Sequence, residues 1–271
     1  MNTRFPQSAP VRTGEELAVY KQIDERVRQI ALAVKGREAQ YPALIATDVL
    51  ERAEYPLAFP HLLMFAGRLQ CPEAAMSQID LTANQAPTEW CLSPAVCYHV
   101  YAHLSGCVLP EPSVITARGT CFRQERDFAP GIRQVEFGMR EIVLLGSSDW
   151  VHAAADSVVD AITSLATELG LVGVWCAAAD PFFLPAAKGK AMMQRLMGVK
   201  HEFQLLDPSG LALGSVNRHG QFFSRRFHIT TPDGEPVHTA CVAVGLDRWS
   251  HAVGLQREAQ IASRVDQEVR S

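Results

Sequence analysis

The stretch that most constrains the fold of this chain is residues 120–143, which reads as two short strands joined by a polar loop. Arg123 and Glu125 alternate on the first predicted strand, and Phe137 and Glu141 lie on the second. Because strand side chains repeat with a period of two residues, a cation, a carboxylate and an aromatic ring can converge on one face. These groups suit a nucleotide: Arg binds a phosphate, Glu an exocyclic amine, and Phe stacks on a purine.

Composition is typical of a globular protein. The chain has 271 residues, of which 48% are hydrophobic and 20% charged, enough for one large domain or two small ones. The formal net charge is −4 and no basic tail is present, so bulk electrostatic capture of nucleic acid is not expected. The N-terminus lacks the apolar stretch of a signal peptide, and no membrane span is expected, which favours a cytoplasmic protein. The 7 cysteines are therefore expected to be free thiols.

Hydrophobic periodicity predicts helices at both ends of the chain and a run of strands late in it. A loose arm over residues 1–12 precedes a helix that begins at Thr13, where Thr13 and Glu16 fit a capping box. Ser147 or Ser148 caps a second long helix, which Gly170 ends. Further predicted elements are a strand and histidine-rich helix over 90–106, a basic helix over 188–200, strands over 202–207, 212–217, 221–230 and 238–244, and a last helix from near Gly245. Strands linked by tight turns indicate an α+β domain over residues 13–271, with a mostly antiparallel sheet flanked by helices.

Two motifs resemble those of the class II aminoacyl-tRNA synthetases. The run Phe122–Glu125, a loop and Arg133–Phe137 match motif 2, which reads Phe-Arg-x-Glu, loop, Arg-x-x-x-Phe. The run Val244–Arg248 resembles motif 3, a strand leading into a helix, with one residue fewer between its Gly and Arg. Pro42 resembles the proline of motif 1, which implies a homodimer. The resemblance implies a class II synthetase-like catalytic domain.

The resemblance extends to a narrower group. Residues 211–227 and the pair His238-Thr239 are similar to the zinc-dependent archaeal seryl-tRNA synthetases. The compact length and residues 59–63 are similar to the amino acid:[carrier protein] ligases, truncated homologues that charge the phosphopantetheine thiol of a carrier protein. This resemblance covers roughly residues 42–257. It implies that ATP activates a small amino acid, glycine or else alanine, as an aminoacyl-adenylate.

The resemblance assigns the ATP site residue by residue. It implies that Arg123 contacts the α-phosphate and that Glu125 accepts a hydrogen bond from the adenine amine. Phe137 would stack on one face of adenine, Arg248 on the other face or on the γ-phosphate, and Arg133 would contact the γ-phosphate. Considered singly, each arginine is more readily a surface group of a hairpin, and only the joint pattern favours a binding site.

The resemblance also implies a zinc site. The family uses Cys, Glu and Cys from three separate strands, and the matching residues are Cys97, Glu141 and Cys241. Thiolate ligands favour zinc over magnesium, and an open fourth position would bind the amine of the substrate. Judged by type alone, without the resemblance, the two cysteines would be core residues. Three further residues are metal candidates by type only: His99, His103 and His238.

Magnesium is expected with ATP, but its ligands are not evident. Related synthetases carry a Glu that helps to hold magnesium, and Leu211 stands at the matching position. Asp207 or another group would have to substitute. Asn217 and Arg226 are candidate contacts to the substrate or to ATP.

A carrier protein is favoured over tRNA as the acceptor. The part before Pro42 is too short for the tRNA-binding domain of seryl enzymes, so no separate tRNA-binding domain is expected. Carrier proteins are acidic, and a predicted basic patch could steer one towards the enzyme, although it could also be an ordinary solvated helix face. The patch consists of Lys188, Lys190, Arg195 and Lys200.

Two other functions remain open on the sequence. One is a minimal seryl-tRNA synthetase-like enzyme that charges tRNA. The other is a non-catalytic paralogue that binds ATP or an amino acid and acts in regulation, which the departure at Leu211 allows.

Overall fold

The computed structural model describes residues 11–70, 84–178 and 199–270, with side chains up to residue 261. In the first half of the chain the elements are α1 (Gly14–Ala33), β1 (Arg37–Glu38), β2 (Leu44–Ala46), α2 (Thr47–Arg52), α3 (Tyr55–Ala58), a 3₁₀ turn (Pro60–Leu62), β3 (Arg68–Leu69), β4 (Gln85–Ala86), β5 (Trp90–Leu92), α4 (Cys97–His103), β6 (Ser113–Phe122) and β7 (Glu136–Gly146). They continue as α5 (Ser148–Glu168), β8 (Gly173–Ala177), β9 (Lys200–Leu205), β10 (Ala212–Gly220), α6 (Phe222–Phe227), β11 (His238–Gly245) and α7 (Leu246–Arg270).

A seven-stranded sheet in the order β1-β6-β7-β11-β10-β9-β8 forms the centre of the described fold. Its neighbouring strands pair antiparallel except for β1 and β6, which are parallel. Two small two-stranded sheets, β2-β5 and β3-β4, lie outside it. The predicted α+β class with a mostly antiparallel sheet is confirmed.

Alternation along β7 sends its side chains to two different cores. Ile142 and Leu144 lie in the main cluster, with the buried residues of α1, α5 and α7. Val143 and Leu145 lie in a second cluster, with residues of α4 and α6. Because strand side chains alternate in direction, the sheet has one face covered by three long helices and an opposite face covered by two short ones.

The long helices α1 and α5 largely agree with the helices predicted from hydrophobic periodicity. Ser147 is the N-cap of α5 and accepts a hydrogen bond from the Trp150 N–H at 3.4 Å, as predicted. Gly170 follows the helix with φ +75°, a left-handed conformation that suits glycine. Thr13 is the N-cap of α1, but its side chain makes no capping hydrogen bond, so the predicted capping box does not form.

The strand predicted over residues 221–230 is wrong, because Phe222–Phe227 form helix α6. Gly220 turns the chain out of β10 with φ +55°. Phe223 and Phe227, four residues apart, then lie on the same side of the helix, and both pack against Tyr101. Burial of this aromatic stripe outweighs the local preference of Phe for strands.

The helix predicted over residues 188–200 falls largely outside the described residues. At its end the prediction is wrong, since Lys200 begins strand β9. The predicted arm over residues 1–12 is likewise described only at Val11 and Arg12. None of the described helices is long and apolar enough to cross a membrane.

The directions of strands β6 and β11 bring the motif 2 and motif 3 segments together. Strands β6 and β11 both pair antiparallel with β7, which lies between them, so their C-terminal ends meet at one edge of the sheet. Arg123 follows the end of β6, and Arg248 lies in the first turn of α7, directly after β11. Arg123 and Glu125 therefore lie in the loop after β6. The prediction that they lie on the strand itself is wrong.

Candidate functional site

A row of directly paired residues crosses four strands. Glu141 on β7 is opposite Ala243 on β11, Ala243 is opposite Ser215 on β10, and Ser215 is opposite Glu202 on β9. Directly opposite residues point to the same face of a sheet. The row therefore places two carboxylates and a hydroxyl on the face that also carries Val143 and Cys241.

Cys97, Glu141 and Cys241 meet on this face. All three are buried, and their ligand atoms lie within 4.8 Å of one another. Cys97 is the first residue of helix α4, not part of a strand, so the expectation of three separate strands is wrong. The Glu141 carboxylate accepts hydrogen bonds from the backbone N–H groups of Val96 and Cys97, each at 3.1 Å. These two bonds hold the carboxylate at the start of α4.

The pKa values of Cys97, Glu141 and Cys241 depend on burial and on the interactions among these three acidic side chains. Burial, together with the neighbouring Cys241, raises the pKa of Glu141 to about 8. The hydrogen bond between the two cysteines raises the pKa of Cys97 and lowers that of Cys241. Three acidic groups without a cation cannot all ionise in one buried place. Two sulfurs and one carboxylate are a donor set that fits zinc.

Asn217 and His219 on β10 lie beside Cys241. The Asn217 Nδ2 is 3.7 Å from the Cys241 Sγ and donates to the Ser215 Oγ at 3.1 Å. The His219 Nε2 is 3.9 Å from the same sulfur, and its Nδ1 is 3.2 Å from the Tyr101 hydroxyl. The sequence reading had not singled out His219. The predicted strand over 212–217 ends before His219, whereas β10 extends to Gly220; continuing the two-residue period of that strand beyond Asn217 is the signal that could have found His219.

The three histidines that were metal candidates by type lie elsewhere. His99 stacks on Tyr41, with ring centroids 5.6 Å apart, and burial lowers the pKa of His99 to about 4. The His103 Nδ1 is 2.9 Å from the hydroxyl of the same tyrosine. His238 precedes Cys241 by three residues on β11, so its side chain points to the opposite face.

Two guanidinium groups converge at the edge of the sheet. The Arg123 Nε donates to the Pro94 carbonyl at 3.2 Å, and its guanidinium lies 5.1 Å from the centroid of the Phe137 ring. Arg248 donates to the carbonyls of Ile132 and Ala212, each at 2.8 Å. Burial lowers the pKa of Arg248, and the charge of Arg123 lowers it further. The two guanidiniums are thus within electrostatic reach of each other.

Further charges surround Arg248. The carboxylates of Glu202 and Glu125 raise its pKa, whereas Arg133, whose side chain is exposed, lowers it. Three cations and two carboxylates therefore gather near one edge of the sheet. Such a cation cluster can bind a polyanion such as a triphosphate.

Neither Leu211 nor Asp207 is placed to bind magnesium. Leu211 is buried in the main core. The exposed Asp207 carboxylate accepts hydrogen bonds from the backbone N–H groups of Ser209 and Gly210, which hold it in a turn. Glu202 is instead the carboxylate that shares a face with Ser215 and acts on Arg248.

Arg226 and Lys200 have other partners. The Arg226 guanidinium pairs with Glu54 and lies 3.7 Å from the centroid of the Phe222 ring, and its substrate role stays a prediction. Lys200 is buried opposite Asn217 and pairs with Glu202 at 3.0 Å, which does not fit an exposed docking patch. The other members of that patch, Lys188, Lys190 and Arg195, lie outside the described residues.

Comparison with known proteins identifies relatives that match over most of their length. No family model matches the chain. It is 33% identical over 256 residues to amino acid–[acyl-carrier-protein] ligase 1 of Bradyrhizobium diazoefficiens, covering 87% of this chain and 77% of that protein. Ligase 2 of the same organism is 32% identical over 257 residues, covering 87% and 75%.

More distant relatives are synthetases. The type-2 serine–tRNA ligase of Methanocaldococcus jannaschii is 27% identical over 272 residues, covering 90% of this chain and 50% of that protein. Among solved structures, the M. kandleri seryl-tRNA synthetase in complex with A. aeolicus tRNASec has a TM-score of 0.75 at 19% identity, covering 92% of this chain and 54% of that chain. The Giardia lamblia prolyl-tRNA synthetase with prolyl-adenylate has a TM-score of 0.70 at 16% identity, covering 92% and 49%. These structures show that the fold is that of a class II synthetase catalytic domain.

Proposed function

This chain belongs to the amino acid–[acyl-carrier-protein] ligase family, and we propose that it activates glycine, or else alanine, with ATP and transfers it to the phosphopantetheine thiol of a carrier protein. The chain is thus a ligase of the adenylate-forming, class II synthetase type. The observation that carries the proposal is the convergence of Arg123 and Arg248 on the sheet that also brings Cys97, Glu141 and Cys241 together.

In the first step, a carboxylate oxygen of the amino acid attacks the α-phosphorus of ATP and pyrophosphate leaves. Arg123 would neutralise the charge that develops on the α-phosphate, and one such preorganised donor contributes on the order of 3–4 kcal/mol. Arg133 and Arg248 would hold the γ-phosphate, with Phe137 stacked on adenine and Glu125 accepting from its amine. The chain chiefly orients the reactants and neutralises charge, as is general for phosphoryl chemistry.

Cys97, Glu141 and Cys241 would hold a zinc ion. When bound there, zinc supplies a positive charge and an open coordination position for the α-amine of the amino acid. The backbone N–H groups at the start of α4 orient Glu141, and Asn217 would line the pocket beside Cys241. Both thiols must be reduced to bind a metal, which fits a protein of the cytoplasm.

Glu202 would contribute to holding the magnesium that accompanies ATP. Magnesium is usually bound by one or two carboxylates together with phosphate oxygens. Glu202 fits this role because it lies across from Ser215 and near Arg248, on the phosphate side of the site.

In the second step, the thiolate of the phosphopantetheine arm attacks the carbonyl carbon of the adenylate. The bond from that carbon to the phosphate oxygen breaks, AMP leaves and a thioester forms. The chain's own part is to keep the adenylate in place, through the same arginines, until the thiol arrives.

Amino acid-dependent exchange of pyrophosphate into ATP, measured across the twenty amino acids, tests the first step. We expect exchange with glycine, weaker exchange with alanine and little with larger amino acids. Transfer of labelled glycine to a phosphopantetheinylated carrier protein, compared with transfer to tRNA, tests the second step. Absence of exchange with every amino acid would contradict the proposal and favour a non-catalytic binding protein.

A tRNA-charging enzyme is the second candidate. The similarity to type-2 serine–tRNA ligases favours it, although this chain spans only 50% of the M. jannaschii protein. Serine-dependent exchange together with labelling of tRNA, and none of the carrier, would establish that function instead.

A further inference from the structure

We propose that Tyr101 and His219 form a hydrogen-bonded pair that orients the Cys241 thiolate, which makes His219 a positioning residue for recognition of the amino acid. The inference rests on the proposed function, because it assumes that Cys241 is a zinc ligand. The sequence analysis gave a role to neither residue, although His219 lies within the segment 211–227 that resembles the archaeal seryl-tRNA synthetases.

The pair lies next to all three candidate ligands. Tyr101 is on α4, one helical turn after Cys97, and is 0% exposed. Its hydroxyl is 3.2 Å from the His219 Nδ1, and the His219 Nε2 is 3.9 Å from the Cys241 Sγ. A chain of polar contacts thus leads from the helix, through the imidazole, to the sulfur.

The chemistry of a metal-bound thiolate sets the direction of these hydrogen bonds. A thiolate can only accept, so the His219 Nε2 must carry the hydrogen that faces Cys241. In the neutral ring the Nδ1 is then an acceptor, and the Tyr101 hydroxyl must donate to it. Tyr101 thereby selects the imidazole tautomer that can donate to the sulfur.

Aromatic packing holds the pair in place. Tyr101 stacks on Phe223 with ring centroids 4.4 Å apart and planes 15° apart. Phe223 also contacts His219 edge-on, with centroids 4.8 Å apart. A fully buried ring fixed by such a stack cannot move its hydroxyl oxygen away from the imidazole without repacking α6. The tyrosine oxygen is therefore held beside the His219 Nδ1.

Substitution of Tyr101 or His219 should weaken binding of the amino acid and leave binding of ATP unchanged. Along β11 the face that carries Thr239 and Cys241 leads through Ala243 to Gly245, after which Arg248 begins the phosphate side. Besides His219, the Tyr101 hydroxyl has a hydrogen bond with Thr239 and lies within electrostatic reach of the three ligands, at the other end of this line. Loss of the donor should thus weaken metal and amine binding and leave phosphate binding intact.

The test compares His219→Phe, which cannot donate, with His219→Gln, which keeps an N–H donor, and with Tyr101→Phe. Tyr41→Phe is the matched control, because the Tyr41 hydroxyl is hydrogen-bonded to His103 and not to His219 or to a sulfur, so the change removes a tyrosine–histidine hydrogen bond away from Cys241. For each full-length variant, zinc affinity is measured by competition with a chromogenic chelator. KM for glycine and for ATP is measured by pyrophosphate exchange, and Tm by calorimetry.

We expect His219→Phe to bind zinc about 10-fold to 100-fold more weakly, the usual effect of losing a hydrogen-bond partner of a ligand. KM for glycine should rise by a similar factor and KM for ATP should stay within about twofold, if the ligand alone is disturbed. Tyr101→Phe should show the same pattern more weakly, His219→Gln should recover most of the affinity, and Tyr41→Phe should match the wild type.

Unchanged zinc affinity in both His219→Phe and Tyr101→Phe would overturn the inference. So would a parallel loss of Tm and of both KM values, with no recovery in His219→Gln, because that pattern indicates only a packing role. If the wild-type protein exchanges pyrophosphate but binds no zinc, the inference fails while the adenylate-forming function stands. If exchange itself is absent, the proposed function fails.

Discussion

The backbone N–H of Gly138 donates a hydrogen bond of 2.6 Å to the carboxylate of Asp247. Gly138 follows Phe137 on β7, and Asp247 precedes Arg248 on α7, so this bond joins the two motifs at the residues next to their proposed ATP contacts. Asp247 is buried and also pairs with Arg12, whose guanidinium lies 4.5 Å from the centroid of the Tyr20 ring. The start of α1 thus supports the junction of the two motifs.

Gly138→Ala should disturb that junction. A Cβ at this position would lie 1.8 Å from the Tyr20 hydroxyl oxygen, so either the strand or the tyrosine must move. We expect a loss of about 1–3 kcal/mol in the free energy of unfolding, the usual cost of overpacking. KM for ATP should rise because Phe137 and Arg248 lose their common alignment.

Urea unfolding and exchange kinetics check this prediction. Gly254→Ala on α7 is the control, since a Cβ there meets nothing within 4 Å. Adding Tyr20→Phe to Gly138→Ala removes the closest atom and should restore part of the stability. A Gly138→Ala protein as stable as the control would contradict the steric argument.

Tyr20 should make the protein sensitive to alkaline pH. Burial, together with the charge of Asp247, raises the pKa of Tyr20 to about 12, whereas an unfolded tyrosine titrates near 10. Between these values the unfolded chain loses the phenolic proton and the folded chain keeps it, so stability falls as pH rises from about 10 to 12. Below pH 10 the contribution is fully present.

Tyr20→Phe removes this titration. We expect the free energy of unfolding of the variant to fall less steeply over the same alkaline range, by about 1 kcal/mol per pH unit. Urea unfolding at a series of pH values measures both slopes. Equal slopes for variant and wild type would show that the tyrosine ionises equally in both states.

Arg123→Ala and Arg248→Ala should each lower the rate of pyrophosphate exchange. Removal of one preorganised donor costs on the order of 10²–10³ in kcat. Arg257→Ala is the matched control, because Arg257 lies on the same helix as Arg248 and pairs with Glu15 at the surface. Retention of full exchange in both active-site variants would separate these arginines from the chemistry.

Removal of zinc should lower both stability and activity. Without the cation, Glu141 and the two cysteines remain buried acidic groups, so we expect chelation to lower Tm and to abolish glycine-dependent exchange. Zinc should restore both, and magnesium should not. Cys241→Ser should lose bound zinc in elemental analysis, whereas Cys176→Ser, on the edge strand β8, should keep it.

A homodimer is expected to cover the surface near Pro42. The small β2-β5 sheet and its neighbours expose Leu44, Leu57, Phe65 and Trp90, which are 40–65% accessible. Apolar side chains grouped in this way are typical of an interaction surface. Phe65→Ser with Leu57→Ser should shift the protein to a monomer in light scattering, and Val172→Ser, exposed before edge strand β8, should not. A wild-type monomer would contradict the prediction.

Local signals predicted some elements and missed others, for identifiable reasons. The α5 helix carries both an N-cap serine and an unbroken apolar stripe, and it forms as predicted. Residues 221–230 are rich in Phe and resemble a strand, yet they fold as α6 because Tyr101 provides a ring on which Phe223 stacks. No local pattern reveals that contact, because Tyr101 is on a distant helix.

The sequence by itself determined the two motifs and the order of strands and helices around them, whereas a shared site for Arg123, Glu125 and Arg248 was an expectation from the resemblance. These features depend on residue type and on spacing of a few residues, which backbone geometry converts directly into structure. Only the tertiary structure decided that Glu202 shares a row with Glu141, that Lys200 is buried on the same face, and that His219 reaches Cys241. Those relations depend on the register between strands far apart in the chain, where a shift of one residue would turn every side chain to the other face.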